Sequence, residues 1–114
     1  MSTYLIYFNQ AWVGEHSEDW FAARGPLARA VVDEMKAAGV YVFAGGLVED
    51  PQDAFSADAT SGTLTFTDGP YAPNPQFLGG FTVIDVADAQ AARHWAGKVA
   101  EACGWPQEVR RFKR

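Results

Sequence analysis

One cysteine and two histidines are all this 114-residue chain offers in the way of thiol and imidazole. With Cys103 alone, neither an internal disulfide nor a cysteine-based zinc site can form, which fits a reducing compartment. His16 and His94 stand far apart, without HxH or HxxxH spacing, and carry no metal signal. Cations are scarce as well. Nine Lys and Arg against 14 Asp and Glu leave a formal charge of -5, which repels a phosphate backbone. Nucleic-acid binding is therefore not expected. The one basic cluster, Arg110, Arg111, Lys113 and Arg114, reads as a solvated strand end or as a dock for an acidic partner. No run approaches the roughly 20 apolar residues of a membrane span, and Met1 to Asn9 lacks the basic start and long apolar stretch of a secretory signal. A cytoplasmic location without a membrane partner is the expectation. Nucleophile elbow, phosphate loop, dinucleotide fingerprint and paired carboxylates are all missing, so no cofactor is expected. Gly45-Gly46 and Gly79-Gly80 lack the following helix that a phosphate cradle needs. They point instead to sheet curvature.

What remains is a globular composition, 48% hydrophobic and 20% charged, of a length that supports one core: a single domain over residues 1–114. Thr3 to Asn9 reads as a strand with both faces apolar, Tyr4, Ile6 and Phe8 on one and Leu5 and Tyr7 on the other. Such a strand must be covered twice. Ser17, followed by Glu18 and Asp19, predicts a helix start. Gly25-Pro26 then interrupts or restarts the helix, and Leu27, Val31, Met35 and Ala38 repeat at helical spacing up to Gly39. Glu34 falls inside that apolar arc, either at its watery edge or turned toward Arg24 or Lys36. Val40 to Val48 is a second strand whose paired glycines suggest a bulge or a close backbone approach. Glu49 to Thr60 reads as a loop, Thr63 to Thr67 and Phe77 to Val86 as strands, and Gln107 to Phe112 as a last strand. Asp88 caps a second helix with the inward stripe Ala92, Trp95, Ala96, Val99 and Cys103, ended by Gly104. This order predicts an α+β fold, an antiparallel sheet with both helices on one face. The bare face then calls for a second copy of the chain.

Asp68-Gly69-Pro70-Tyr71, followed by Leu78-Gly79-Gly80-Phe81, puts an acidic side chain, a glycine and a proline together at a strand mouth. With Phe43-Ala44-Gly45-Gly46-Leu47 upstream and Phe81-Thr82-Val83-Ile84-Asp85-Val86 after it, the run resembles the DGPF-domain branch of the YCII-related family. The resemblance covers nearly the whole chain, up to Glu108-Val109-Arg110. It implies a ferredoxin-like fold in which two subunits pair sheet to sheet as a dimeric α/β barrel. In related YCII proteins a histidine near the start of the first helix faces the aspartate of the acidic turn as the proposed catalytic partner. Here that region is Arg24-Gly25-Pro26-Leu27-Ala28, without histidine. Where DGPF relatives carry acidic and lysine residues after the turn, this chain has Pro73, Asn74, Pro75 and Gln76.

Asp68 is the leading candidate for chemistry. In a mouth lined by Phe66, Tyr71 and Phe81, burial would suit it to general-base work, whereas a neighbouring Arg would make it an anchor. The plain alternative is that it caps backbone N–H groups of its own turn. His16, in the loop after the first strand, is the weaker catalytic candidate, set against an exposed loop residue. Trp12, Tyr4 and Tyr7 either line an apolar cavity or fill the space between subunits; Arg24, Tyr71 and His16 would orient a substrate, with Tyr7, Trp12 and Phe81 in contact with it. The resulting expectation is a homodimer, paired through its open sheet face, that binds a small organic molecule. If it is an enzyme, Asp68 serves isomerase- or lyase-type acid/base chemistry. The alternative is a non-catalytic module that senses a ligand or docks another protein.

Overall fold

The alternation along the first strand sets the architecture seen in the computed structural model, which describes residues 1–113. Arg114, the last of the terminal basic cluster, lies outside them. Strand β1 (Ser2–Asn9) leads through a 3-10 turn (Gln10–Trp12) to helix α1 (Glu18–Ala37), then to β2 (Tyr41–Gly46). A second 3-10 turn (Pro51–Asp53) precedes β3 (Phe55–Asp58) and β4 (Thr65–Asp68), followed by β5 (Leu78–Val86), α2 (Ala89–Cys103) and β6 (Glu108–Arg111). The main sheet has the order β2-β5-β1-β6 and every neighbour is antiparallel. Two βαβ-like halves thus interleave their strands, the ferredoxin-like arrangement.

Register fixes the faces. Tyr4 lies opposite Ile84 and Ile6 opposite Thr82, so this row points to the helices. Ile6, Met35, Ile84 and Val86 are fully buried there, with Val31 of α1 and Ala92 and Ala102 of α2. Each large side chain of this core contributes about 1.5–3 kcal/mol over exposure. The other row, Leu5 opposite Val83 and Tyr7 opposite Phe81, points away from both helices. Those four are half-buried, while Phe43, beside Val83 on the neighbouring strand, is 54% exposed.

Local chemistry explains the helix ends. Ser17 accepts a bond from the Trp20 N–H at 3.1 Å, with Glu18 and Asp19 in the first turn. Asp88 does the same for the Ala91 N–H at 2.9 Å, and Gly104, at φ 89°, ends α2 in the left-handed region. Helix α1 does not break at Gly25-Pro26; it runs through them. Pro26 and Ala22 are both exposed, so water can serve the Ala22 carbonyl that the proline leaves without an N–H. Leu27 is 48% exposed, because the buried stripe of α1 is confined to Val31 and Met35. Glu34 pairs with neither Arg24 nor Lys36 but reaches Lys98 of α2 at 3.3 Å, a partly exposed bridge worth under about 1 kcal/mol.

The segment over 49–60 is not all loop. Phe55–Asp58 pairs with Thr65–Asp68 to make a separate two-stranded hairpin, so the predicted third strand stays out of the main sheet. Its first strand is short and has one strong strand former, Phe55, which hides it from pattern reading. Asp58 tightens the hairpin end by accepting the Thr60 N–H at 2.9 Å, a bond that holds its carboxyl below the usual range. Phe55, Leu64 and Phe66 are all exposed on this arm. The radius of gyration is 16.2 Å, against about 13 Å for a compact chain of this length. The bulge in β2 falls at Val42, and the paired glycines there serve close approach: a Cβ at Gly80 would meet the Gly45 carbonyl at 3.0 Å.

Met35→Ala is expected to lower unfolding free energy by about 2–5 kcal/mol in urea titrations, whereas Leu27→Ala should cost under about 1 kcal/mol. Equal losses at both positions would contradict the division of α1 into a buried and an open stripe.

Candidate functional site

Small residues on α1 and the sheet leave a gap between helix and strands where Val31 and Met35 no longer fill it. Gly25, Ala28 and Val32 of α1 face Ala44, Gly45 and Gly46 of β2 across a cleft of about 630 Å³. Phe8 closes one side, and it fits because β5 offers it glycines. A Cβ at Gly79 would stand 2.5 Å from the Phe8 ring. The far end is built by Val99 and Cys103 of α2 and by Trp105 and Gln107, which lead into β6.

An aromatic stack walls that end. Trp105 lies 5.1 Å from Phe8, 6.1 Å from Trp20 and 6.4 Å from Phe21 between ring centroids. The Trp20 ring packs on Gly104, where a Cβ would meet it at 2.8 Å, so the glycine that ends α2 also admits the indole. His16 stacks on the outside of Trp20 at 3.6 Å, nearly parallel, and its Nε2–H donates to the Val13 carbonyl at 2.9 Å.

Arg24 is the polar centre of this wall. Its guanidinium sits 4.8 Å from the Trp20 ring centroid, within cation-π range, and its Nη1 donates to the Glu101 carbonyl at 3.3 Å. Among the described residues its Nε is buried without a partner, as are Trp105 Nε1 and Gln107 Nε2. All three are donors, and each buried donor left unpaired costs about 1–3 kcal/mol. Arg29, Lys36 and Asp33 also border the cleft. Burial pushes the Cys103 thiol above its ordinary value, while the charge of Arg24 pulls the other way and is the smaller effect.

The candidates read from sequence scatter over three places. Arg24 borders the cleft; Phe81 also belongs to its lining, but its row faces away from the helices and its ring lies 5.9 Å from that of Phe43. Tyr7 and Trp12 pair at 6.3 Å, and the Tyr7 hydroxyl donates to the Glu108 carboxylate. Asp68 ends β4 opposite Phe55, exposed, and Tyr71 is 74% exposed in the following loop. Among the described residues the Asp68 carboxylate accepts no hydrogen bond; the Gly69 N–H goes to the Ala54 carbonyl at 2.7 Å. Phe66 is likewise exposed, so among the described residues no closed aromatic mouth surrounds Asp68. His16 flanks the Trp20 stack rather than the acidic turn.

Trp105, Gln107, Arg29 and Lys36 are not among the site residues expected from the sequence. A second stripe on α1, Gly25, Ala28, Val32 and Lys36 at spacings of three and four, was the available signal for the helix side. Among the described residues no helix is long and apolar enough to cross a membrane. The family model of the YCII-related domain matches residues 5–104, from β1 to the glycine that ends α2. No curated protein matches the chain.

A raised thiol value means that Cys103 stays protonated at neutral pH. Iodoacetamide at pH 7.5 should alkylate it at least about ten-fold more slowly than in the urea-unfolded chain, read by intact mass. The same shift favours the fold fully below the ordinary thiol range, and that contribution disappears as pH climbs through the raised value. Arg24→Gln should slow the reaction further.

Proposed function

The chain belongs to the YCII-related family, and we propose that it is a homodimeric small-molecule-binding protein whose ligand enters the cleft between α1 and the sheet. The observation that carries this reading is the cleft itself: about 630 Å³, in the range of small-molecule sites. Apolar and aromatic walls supply the affinity, and a small set of polar groups around Arg24 supplies orientation.

Pairing through the open sheet face belongs to the same proposal. Leu5, Tyr7, Phe43, Phe81 and Val83 form an apolar patch that neither helix covers. Two such faces packed about 10 Å apart would bury both rows. The projecting hairpin supports it as well, since an isolated two-stranded ribbon with exposed Phe55 and Phe66 gains stability by lying against a second molecule. Turnover by isomerase- or lyase-type proton transfer would draw on Asp68, and it would do so across the dimer, because Asp68 is not among the residues lining its own cleft. The exposed hairpin also favours a second reading, an accessory module that docks another protein through this arm. A reducing, cytoplasmic setting fits the single free thiol.

Two measurements test this. The neutral fluorescent probe N-phenyl-1-naphthylamine should bind saturably at one site per subunit, and Ala28→Trp, which fills the cleft, should abolish binding without lowering helicity. Sedimentation at micromolar concentration should give a dimer, and Val83→Asp should weaken it at least 100-fold. A monomeric parent protein would remove the dimer, and uptake unaffected by Ala28→Trp would remove the cleft.

A further inference from the structure

The charge around the cleft does not resemble that of the chain as a whole. Although the protein carries a net -5, three cations, Arg24, Arg29 and Lys36, border the cleft against the single carboxylate of Asp33. Among the described residues none of the three makes an ion pair. Asp33 stands one helical turn from Arg29 without closing on it, and the bridge that does form, Lys98 with Glu34, joins the two helices elsewhere. Two of the cations are held by aromatic rings instead, Arg24 over Trp20 at 4.8 Å and Lys36 over Tyr41 at 5.0 Å. A ring steadies a cation but leaves its charge uncompensated. The cleft therefore keeps a local positive field in an otherwise acidic protein, where it draws in anions.

The unpaired hydrogen-bonding groups have the matching sign. Arg24 Nε, Trp105 Nε1 and Gln107 Nε2 are N–H donors that lack acceptors among the described residues, and they belong to residues lining this one cleft. Among the described residues, Nη1 is the Arg24 donor with a hydrogen-bond partner. A ligand that is rich in acceptors and negatively charged satisfies both conditions, and a guanidinium fork grips a planar or tetrahedral oxyanion through two parallel bonds. The remaining walls are Phe8, Phe21 and the Trp105 ring, which suit a flat apolar body.

We propose that the cleft selects small molecules that join an oxyanion group to a flat apolar body, with Arg24 as the anchor and Gln107 and Trp105 as the flanking donors. This rests on the reading of the cleft as a ligand site. It goes further by assigning the charge and shape of what is bound. A carboxylate and a phosphate monoester share the required chemistry.

The test displaces N-phenyl-1-naphthylamine from the cleft with 2-naphthoate, 2-naphthyl phosphate and the neutral isostere 2-naphthamide at fixed ionic strength. At least one of the two anions should bind ten-fold or more tightly than the amide, and which of them does so identifies the source of the oxyanion. Arg24→Gln should weaken the anions at least ten-fold more than it weakens 2-naphthamide, and Gln107→Leu should reduce the preference several-fold. If Arg24→Gln does not fold, Gln107→Leu and the double variant Arg29→Gln/Lys36→Gln carry the same comparison. Equal displacement by acid and amide, or equal loss of both in the variants, overturns the proposal and leaves the cleft as a ligand site without charge selection. Failure of the neutral probe to bind at all removes the cleft reading, and this inference with it.

Discussion

The antiparallel pairing of β1 with β5 divides the side chains of both strands between two faces, and the rest of the molecule depends on that division. Because the side-chain period of a strand is two, Tyr4, Ile6, Ile84 and Val86 share one face and Leu5, Tyr7, Phe81 and Val83 the other. A slip of β1 by one residue would carry Tyr4 and Ile6 to the open face and turn Leu5 and Tyr7 toward the helices. Both helices can then dock only where Met35 and Val31, with Ala92 and Ala102, meet the first row.

The cleft is a consequence of how far that docking extends. Beyond Met35 and Val31 the facing residues of α1 are glycine, alanine and valine, and the strand opposite ends in Gly45 and Gly46. Close packing fails there for want of side-chain volume, not for want of apolar character. Phe8 and Trp105 border the gap without filling it, each seated beside neighbours that glycine keeps small, Gly79 and Gly80 for Phe8 and Gly104 for the Trp20–Trp105 stack. The same glycines thus serve the backbone and shape the cavity.

Much of this was legible residue by residue. Ser17 and Asp88 as caps, the stripe from Ala92 to Cys103, and the two-faced strand at the N-terminus all follow from short-range spacing. The short strand at Phe55 was not legible, because a four-residue strand with one strong former is defined by its partner Thr65–Asp68. Nor was the passage of α1 through Pro26, which turns on whether the orphaned carbonyl faces water. For the site, the acidic turn at Asp68 drew attention through its composition, while the cleft formed around Arg24, Trp105 and Gln107, residues without a shared motif.

The amino-acid order by itself determined which segments coil, which extend, where they stop, and that both surfaces of the central strand are apolar, since each of these is a matter of periodicity within one or two turns of chain. Tertiary structure alone decided that Arg24 lies beside Glu101, 77 residues away, and that residues with unpaired donors, from α1 and from the approach to β6, line one cavity. Spacing along a chain carries no information about which distant groups fail to find partners, because that depends on how closely the packed layers meet.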